Sequence, residues 1–255
     1  MTHFLVACDK CKGSLSAFEM CNLAESVLSE RFPTSGVTKV PLTDGGEGFC
    51  EILTRGADGV LHSIEVLDSV GSKKKAQYGI CDVEKLSPKV IKFLNLPSSG
   101  NLGIVEMAQA AGLADLPESK RNPWETSTFG VGQILKEVAG FGVDVILLGI
   151  GGSSTNDIGI GALNALGLSL KSHDNNEISF PIPSVWKNVA GIDIDGLDSL
   201  PPIRIACDVD NQLFGKTGAT AQYGPQKGLA EKDIEKFQEQ IKRILKILEA
   251  HRTDI

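Results

Sequence analysis

Along the chain, short runs of consecutive apolar residues alternate with segments whose apolar positions recur every three to four residues. Phe4 to Cys8, FLVAC, predicts a buried strand. Leu15 to Arg31 carries helical spacing, with Ser14 as the expected N-cap after Gly13. Val37 to Leu42 predicts a second strand, broken by TDGGEG, and Gly48 to Thr54 a helix. From Val60 to Asn95 the pattern changes to short β-like runs, HSIEVLD and AQYGICDV, divided by Gly71, the Lys73 to Lys75 triplet and SPK. The triplet is expected in a solvated turn, and a second lobe or β-rich insertion is expected to begin near residue 70.

The alternation then resumes. Ile104 to Met107 is apolar, and Ser127 to Ala139 is amphipathic, with Thr126 or Ser127 as the expected cap. Val143 to Ile150 predicts a strongly apolar strand leading into a helix near Ile160 to Leu166, and Ile203 to Cys207 predicts another strand ending at Asp208. Ile234, Phe237, Ile241, Ile244, Leu245 and Leu248 mark one face of a final helix. Strands alternating with helices favour a largely parallel sheet in an α/β fold, with ligands beyond the carboxyl ends of the strands.

Composition narrows the function classes. A 255-residue chain of formal charge -7 and pI near 5.2 lacks a broad electrostatic footprint for nucleic acid or an anionic membrane. No apolar run approaches the about 18 residues of a membrane span, and the start MTHFLVACDKCKGS lacks the pattern of a signal peptide. A cytoplasmic location is therefore expected. Six scattered cysteines do not form a disulfide framework. Cys8 and Cys11 form a Cys-x-x-Cys pair, but a zinc site needs about four ligands and no second pair follows. Cys8 reads better as a small hydrophobe at a strand end.

Four loops at expected strand ends concentrate polar groups: Asp9 to Ser14, Thr43 to Gly48, Gly151 to Asp157, and Asp208 to Asn211. Any one alone could be an ordinary turn. Gly151, Gly152, Ser153, Ser154 and Thr155 are small donors that suit a phosphate at a strand-to-helix turn, and Asp157 follows them. Gly149, Gly151 and Ser154 miss the third glycine of the dinucleotide fingerprint. Gly215-Lys216-Thr217 ends like a Walker A motif, but Asp210 stands where its first glycine belongs. Asp9, Asp44, Glu47, Asp157, Asp208 and Asp210 are numerous enough for magnesium, and Lys12, beside Gly13 and Ser14, could neutralise phosphate charge. A carboxylate pair for glycoside hydrolysis would not need glycine-rich donor loops.

These loops resemble the class I glycerate kinase family. The matching pieces are DKCKGSLSA, PLTDGGEGF, Ile104 to Ala111, Arg121-Asn122-Pro123, TSTFGVG, IGGSSTNDIGIGALNALG and ACDVDNQLFGKTGATAQYGPQKGL, in collinear order. The resemblance implies two α/β lobes: a flavodoxin- or Rossmann-like parallel sheet over residues 1–70, a second inserted lobe over 71–228, and a helix over 229–255 returning towards the first. It implies transfer of the ATP γ-phosphate, with Mg2+, to a hydroxyl of D-glycerate, giving phosphoglycerate. Catalytic roles then fall to Asp157, Asp44 and Lys12, cofactor contacts to Ser14 and Gly151 to Thr155, and metal binding to Asp208 and Asp210.

The chain departs from the family pattern in two respects. Lys10-Cys11 replaces the usual Ser-Phe, and family members continue through a further glycine-rich region that completes the first lobe. Two alternatives follow: a shortened, non-catalytic nucleotide- or substrate-binding derivative of the fold, or a metal-dependent hydrolase of a phosphorylated sugar acid. A homo-oligomer is compatible with the sequence.

Overall fold

The computed structural model describes residues 2–250 as a mixed α/β protein. Its centre is a five-stranded sheet in the order β3-β4-β5-β6-β9, formed by Val60–Leu67, Lys73–Asp82, Asn101–Glu106, Val145–Gly149 and Ile203–Ala206. β5, β6 and β9 run parallel, whereas β4 is antiparallel to both β3 and β5. Two smaller pairs flank it: β1 (His3–Val6) parallel to β2 (Gly36–Lys39), and β7 (Ser169–Ser172) antiparallel to β8 (Val189–Asp193).

The Lys73 to Lys75 triplet is not a turn. It begins β4, where Lys73 pairs with Glu65 across the strands at 2.8 Å and Lys74 pairs with Asp115. Alternation explains the error: Ala76 and Tyr78 point to the core from the same strand that holds exposed Lys73, Lys75 and Gln77. β7 and β8 escape the apolar pattern because both are short: β7, SLKS, holds one apolar residue, and β8, VAGID, sets Ala190 and Gly191 between Val189 and Ile192.

One core forms where β3 to β6 meet α5 (Phe129–Gly140), through Val66, Tyr78, Val105, Ile134, Val138 and Ile146. On the opposite face, α2 (Phe49–Gly56) contributes Phe49 and Cys50 beside Ile104 and Leu147. A third core sets Phe237, Ile241 and Ile244 of α8 (Ile234–Glu249) against Leu168, Leu170, Trp186 and Val189. α8 therefore packs on the β7–β8 hairpin, and β3 and β4 pair across residue 70.

β1 and β2 make their main contacts with each other and with α1 (Ala17–Arg31). Val6, Ala17 and Cys21 are buried in this unit, but Leu5 is 68% exposed, and Leu23, Val27, Val40 and Leu42 are also exposed. α1 starts later than expected. Its cap is Ser16, whose hydroxyl accepts the Glu19 N–H while the Glu19 carboxylate accepts the Ser16 N–H. Ser14 instead donates its N–H to the Cys11 carbonyl in the preceding turn. α5 likewise has its N-cap at Thr128, one residue past the expected Ser127.

Candidate active site

The four polar loops converge at the carboxyl ends of β1, β6 and β9 and the loop after β2. Leu42 donates its N–H to the Cys8 carbonyl, joining the first two loops. Gly151 donates to the Gly45 carbonyl at 3.0 Å, joining the second and third. Ile150 donates to the Ala206 carbonyl at 3.3 Å, bringing in the fourth. Glycine is needed where the second and third loops touch: a Cβ on Gly151 would lie 2.8 Å from the Gly46 nitrogen, and one on Gly152 would lie 2.8 Å from Glu47 Oε1. Gly152 also adopts φ +69°.

The first loop joins the site through Lys10. Its ammonium, on a side chain only 10% exposed, sits 2.7 Å from Asp44 Oδ1 and 3.9 Å from both Glu47 Oε2 and Asp9 Oδ1. Partial burial works against ionisation of both partners, but the ion pair prevails: the Asp44 pKa is lowered and that of Lys10 raised. Gly46 adds its N–H to Asp44 at 2.9 Å. Lys12 and Ser14 are exposed on the turn before the α1 cap. Sequence spacing favoured Lys12 because Gly13-Ser14 looked like a helix start; the Ser16-x-x-Glu19 capping box was the signal that moves the helix downstream.

Asp157 lies beneath the third loop, 1% exposed. Its Oδ2 accepts from the Thr128 N–H at 2.8 Å, the Thr128 hydroxyl at 2.9 Å and the Gly161 N–H at 3.2 Å; its Oδ1 accepts from the Gly159 N–H at 3.3 Å. The Thr128 hydroxyl accepts from Ala162 N–H, so its proton points to Asp157. Burial raises the Asp157 pKa, and these donors oppose the rise. Asp157 thus ties the N-terminus of α5 to that of α6 (Ile160–Ala165).

The Gly151 to Thr155 turn spends many of its own donors internally. Besides the Gly151 bond, Ser154 donates both its N–H and its hydroxyl to the Ala111 carbonyl. Lys227 compensates. Its ammonium donates to the Thr155 carbonyl at 2.6 Å and to Ser153 Oγ at 3.0 Å, and desolvation, partly offset by the Asp157 charge, brings its pKa down to about 8. Nothing in residue spacing singled out Lys227, although it lies within the QYGPQKGL segment.

Glu106, at the end of β5, is also new. It is 1% exposed and accepts the Cys50 N–H at 3.0 Å, near the start of α2; burial pushes its pKa up to about 6. Its signal was a single acid in an apolar run. Asp208 and Asp210 are exposed after β9. Among the described residues, no three His, Cys, Asp or Glu side chains form a metal-holding group, and no helix is long and apolar enough to cross a membrane. The six cysteines are free thiols.

Fold and site together define an α/β protein whose polar loops gather at the carboxyl edge of a mixed sheet, the place where such folds bind ligands. The chain belongs to the glycerate kinase family, whose profile matches residues 4–255. A Haemophilus influenzae protein named glycerate kinase is 35% identical over 249 residues, covering 96% of this chain and 61% of the relative. The Escherichia coli K12 protein named glycerate 2-kinase is 37% identical over 230 residues, 89% of this chain and 56% of that relative. A crystal structure of glycerate kinase 2 from Salmonella typhimurium LT2 superposes with a TM-score of 0.73 at 35% identity, covering 96% of this chain and 62% of that one. The chain thus spans about three fifths of the length of these relatives.

Proposed function

We propose that this chain binds ATP and D-glycerate and transfers the γ-phosphate to a glycerate hydroxyl, giving phosphoglycerate, in the cytoplasm. The observation that carries this reading is the convergence of four donor- and carboxylate-bearing loops at one sheet edge, in a member of a family whose relatives are named for this reaction. Phosphoryl transfer depends on positioning and charge neutralisation more than on covalent chemistry, which suits a site of small donors, carboxylates and lysines.

Within it, Ser14 and the turn from Gly151 to Thr155 contact phosphate, the turn through donors other than those that Gly151 and Ser154 spend on Gly45 and Ala111, and Lys12 approaches phosphate charge from the solvent side. Asp44 accepts the proton of the attacking hydroxyl; its lowered pKa keeps it ionised at neutral pH. Asp157, committed to four donors, serves the chemistry by holding the turn in shape. Magnesium takes one or two carboxylates together with water and substrate phosphate, so the exposed hard-oxygen pair Asp208 and Asp210 fits it without a protein cage. Bound there, the ion would neutralise charge on the phosphate oxygens.

The same reading covers organisation. A first lobe built on the β1–α1–β2 unit and a second built on the five-stranded sheet agree with the separate packing of these parts, and the β3–β4 pairing supports a division ahead of residue 60.

A coupled assay of ATP consumption with D-glycerate tests the proposal. Glycerate-dependent ADP formation is expected. Folded protein that binds nucleotide without turnover would overturn it, and phosphate release from a phosphorylated sugar acid without nucleotide would favour hydrolysis instead.

A further inference from the structure

The turn from Gly151 to Thr155 has fewer free donors than its composition suggests, because Gly151 and Ser154 bond to Gly45 and Ala111. Its surroundings are acidic: Asp157 lies below it, and Glu47 faces Gly152. Lys10, the cation of the adjoining loop, is already paired with Asp44. An anion entering this turn would meet net negative charge unless a cation belonged to the turn itself. Lys227 is such a cation. It sits on a rigid support, because Gly228 behind it is in the left-handed region at φ +95° and packs its Cα against the Arg121 carbonyl. Two bonds to Ser153 and Thr155 fix the ammonium, which has three N–H donors, so one remains uncommitted among these partners.

We propose that Lys227 is a ligand-binding residue: its ammonium supplies the positive charge of the Gly151–Thr155 turn and holds an anionic oxygen of the bound ligand there. The inference rests on the kinase reading for the identity of that ligand. The oxygen belongs either to a nucleotide phosphate or to the glycerate carboxylate; both present the same anionic acceptor. The charge that acts on Lys227 is that of Asp157 from the third loop; Arg121, whose Cβ lies near Gly228, turns its guanidinium to the Leu116 carbonyl and Glu118. Burial brings the lysine's pKa down to about 8, and the Asp157 charge opposes that fall.

The test is calorimetric titration of the full chain with a non-hydrolysable ATP analogue and, separately, with D-glycerate. Wild type, Lys227→Gln and Lys227→Arg are compared at pH 7 and at pH 9. Glutamine retains a donor for the Thr155 carbonyl but has no charge, so a residue that only tethers the turn would tolerate it.

The expected result is a loss of about 10- to 100-fold in affinity for one of the two ligands in Lys227→Gln, the size of a charge-assisted hydrogen bond, with most of it restored by arginine. The ligand affected identifies the source of the oxygen. Wild-type affinity for that ligand should fall as pH rises through about 8, where the ammonium loses its proton, and Lys227→Arg should show no such fall. If Lys227→Gln does not fold, the wild-type and arginine pH profiles decide. Equal affinities in the glutamine variant, or equal wild-type and arginine profiles, would overturn the inference and leave the kinase reading standing. Binding of neither ligand by folded wild type would overturn both.

Discussion

Replacing Asp157 by Asn removes one charge and converts one acceptor oxygen into a donor nitrogen, with almost no change in volume. In the native site the carboxylate receives four bonds of 2.8 to 3.3 Å, from Thr128, Gly159 and Gly161. The better asparagine rotamer leaves its oxygen on the three shorter contacts and turns its amide towards the Gly159 N–H. The half-buried Gly159 N–H then faces another donor, which costs about 1–3 kcal/mol, and the three retained bonds lose their charge assistance. A total near 2–4 kcal/mol follows after the gain from no longer burying a charge.

Equilibrium urea unfolding measures this loss, and a fall of roughly 4–16 °C in Tm should accompany it for a chain of this size. A loss below about 0.5 kcal/mol, combined with abolished turnover, would refute the reasoning: Asp157 would then act on the substrate and not on the scaffold.

Three further outcomes follow from the same geometry. Glu106→Gln should be more stable than wild type near pH 8 by up to about 2 kcal/mol, because an ionised Glu106 is buried at a cost that a neutral side chain avoids. The folded pKa is the raised one, so the advantage should shrink as pH falls through about 6 and vanish near 4.5, and a pH series of unfolding curves checks the sign. Lys10→Met removes the ammonium that holds the Asp44 pKa down, so NMR titration should find Asp44 protonating at higher pH; an unchanged titration would show that the Gly46 N–H suffices. Gly151→Ala places a methyl against the Gly46 backbone and should cost about 1–3 kcal/mol by denaturant unfolding, together with ligand affinity. Unaltered values would mean that the second and third loops separate freely.

Most of the fold was legible because apolar runs such as Val145–Gly149 and the spaced face of α8 answer to one requirement, burial. Where other forces chose, the pattern was silent or misleading. β7 and β8 form a two-stranded sheet too short to show an alternation, and the Lys73 to Lys75 triplet is strand because its alternate neighbours are buried. At the site, the four loops could be found from composition at strand ends. What composition could not give was commitment: which donors are already taken. Ser154 looks like a ligand contact in sequence, yet its hydroxyl serves Ala111; Lys12 looks anchored, yet the inward lysine is Lys10. Lys227 lies 74 residues from Ser153, and only tertiary structure joins them.

The β1–α1–β2 unit carries the first loop after β1 and the Asp44 loop after β2, and the Lys10–Asp44 ion pair joins the two beside the Leu42 bond to Cys8. Two kinds of link therefore hold these loops together: backbone bonds, from Leu42 to Cys8 and from Gly151 to Gly45, and one ion pair whose ammonium is mostly shielded from water. Charge and backbone thus brace the same seam, so the loss of either one leaves the other to keep the first two loops in register.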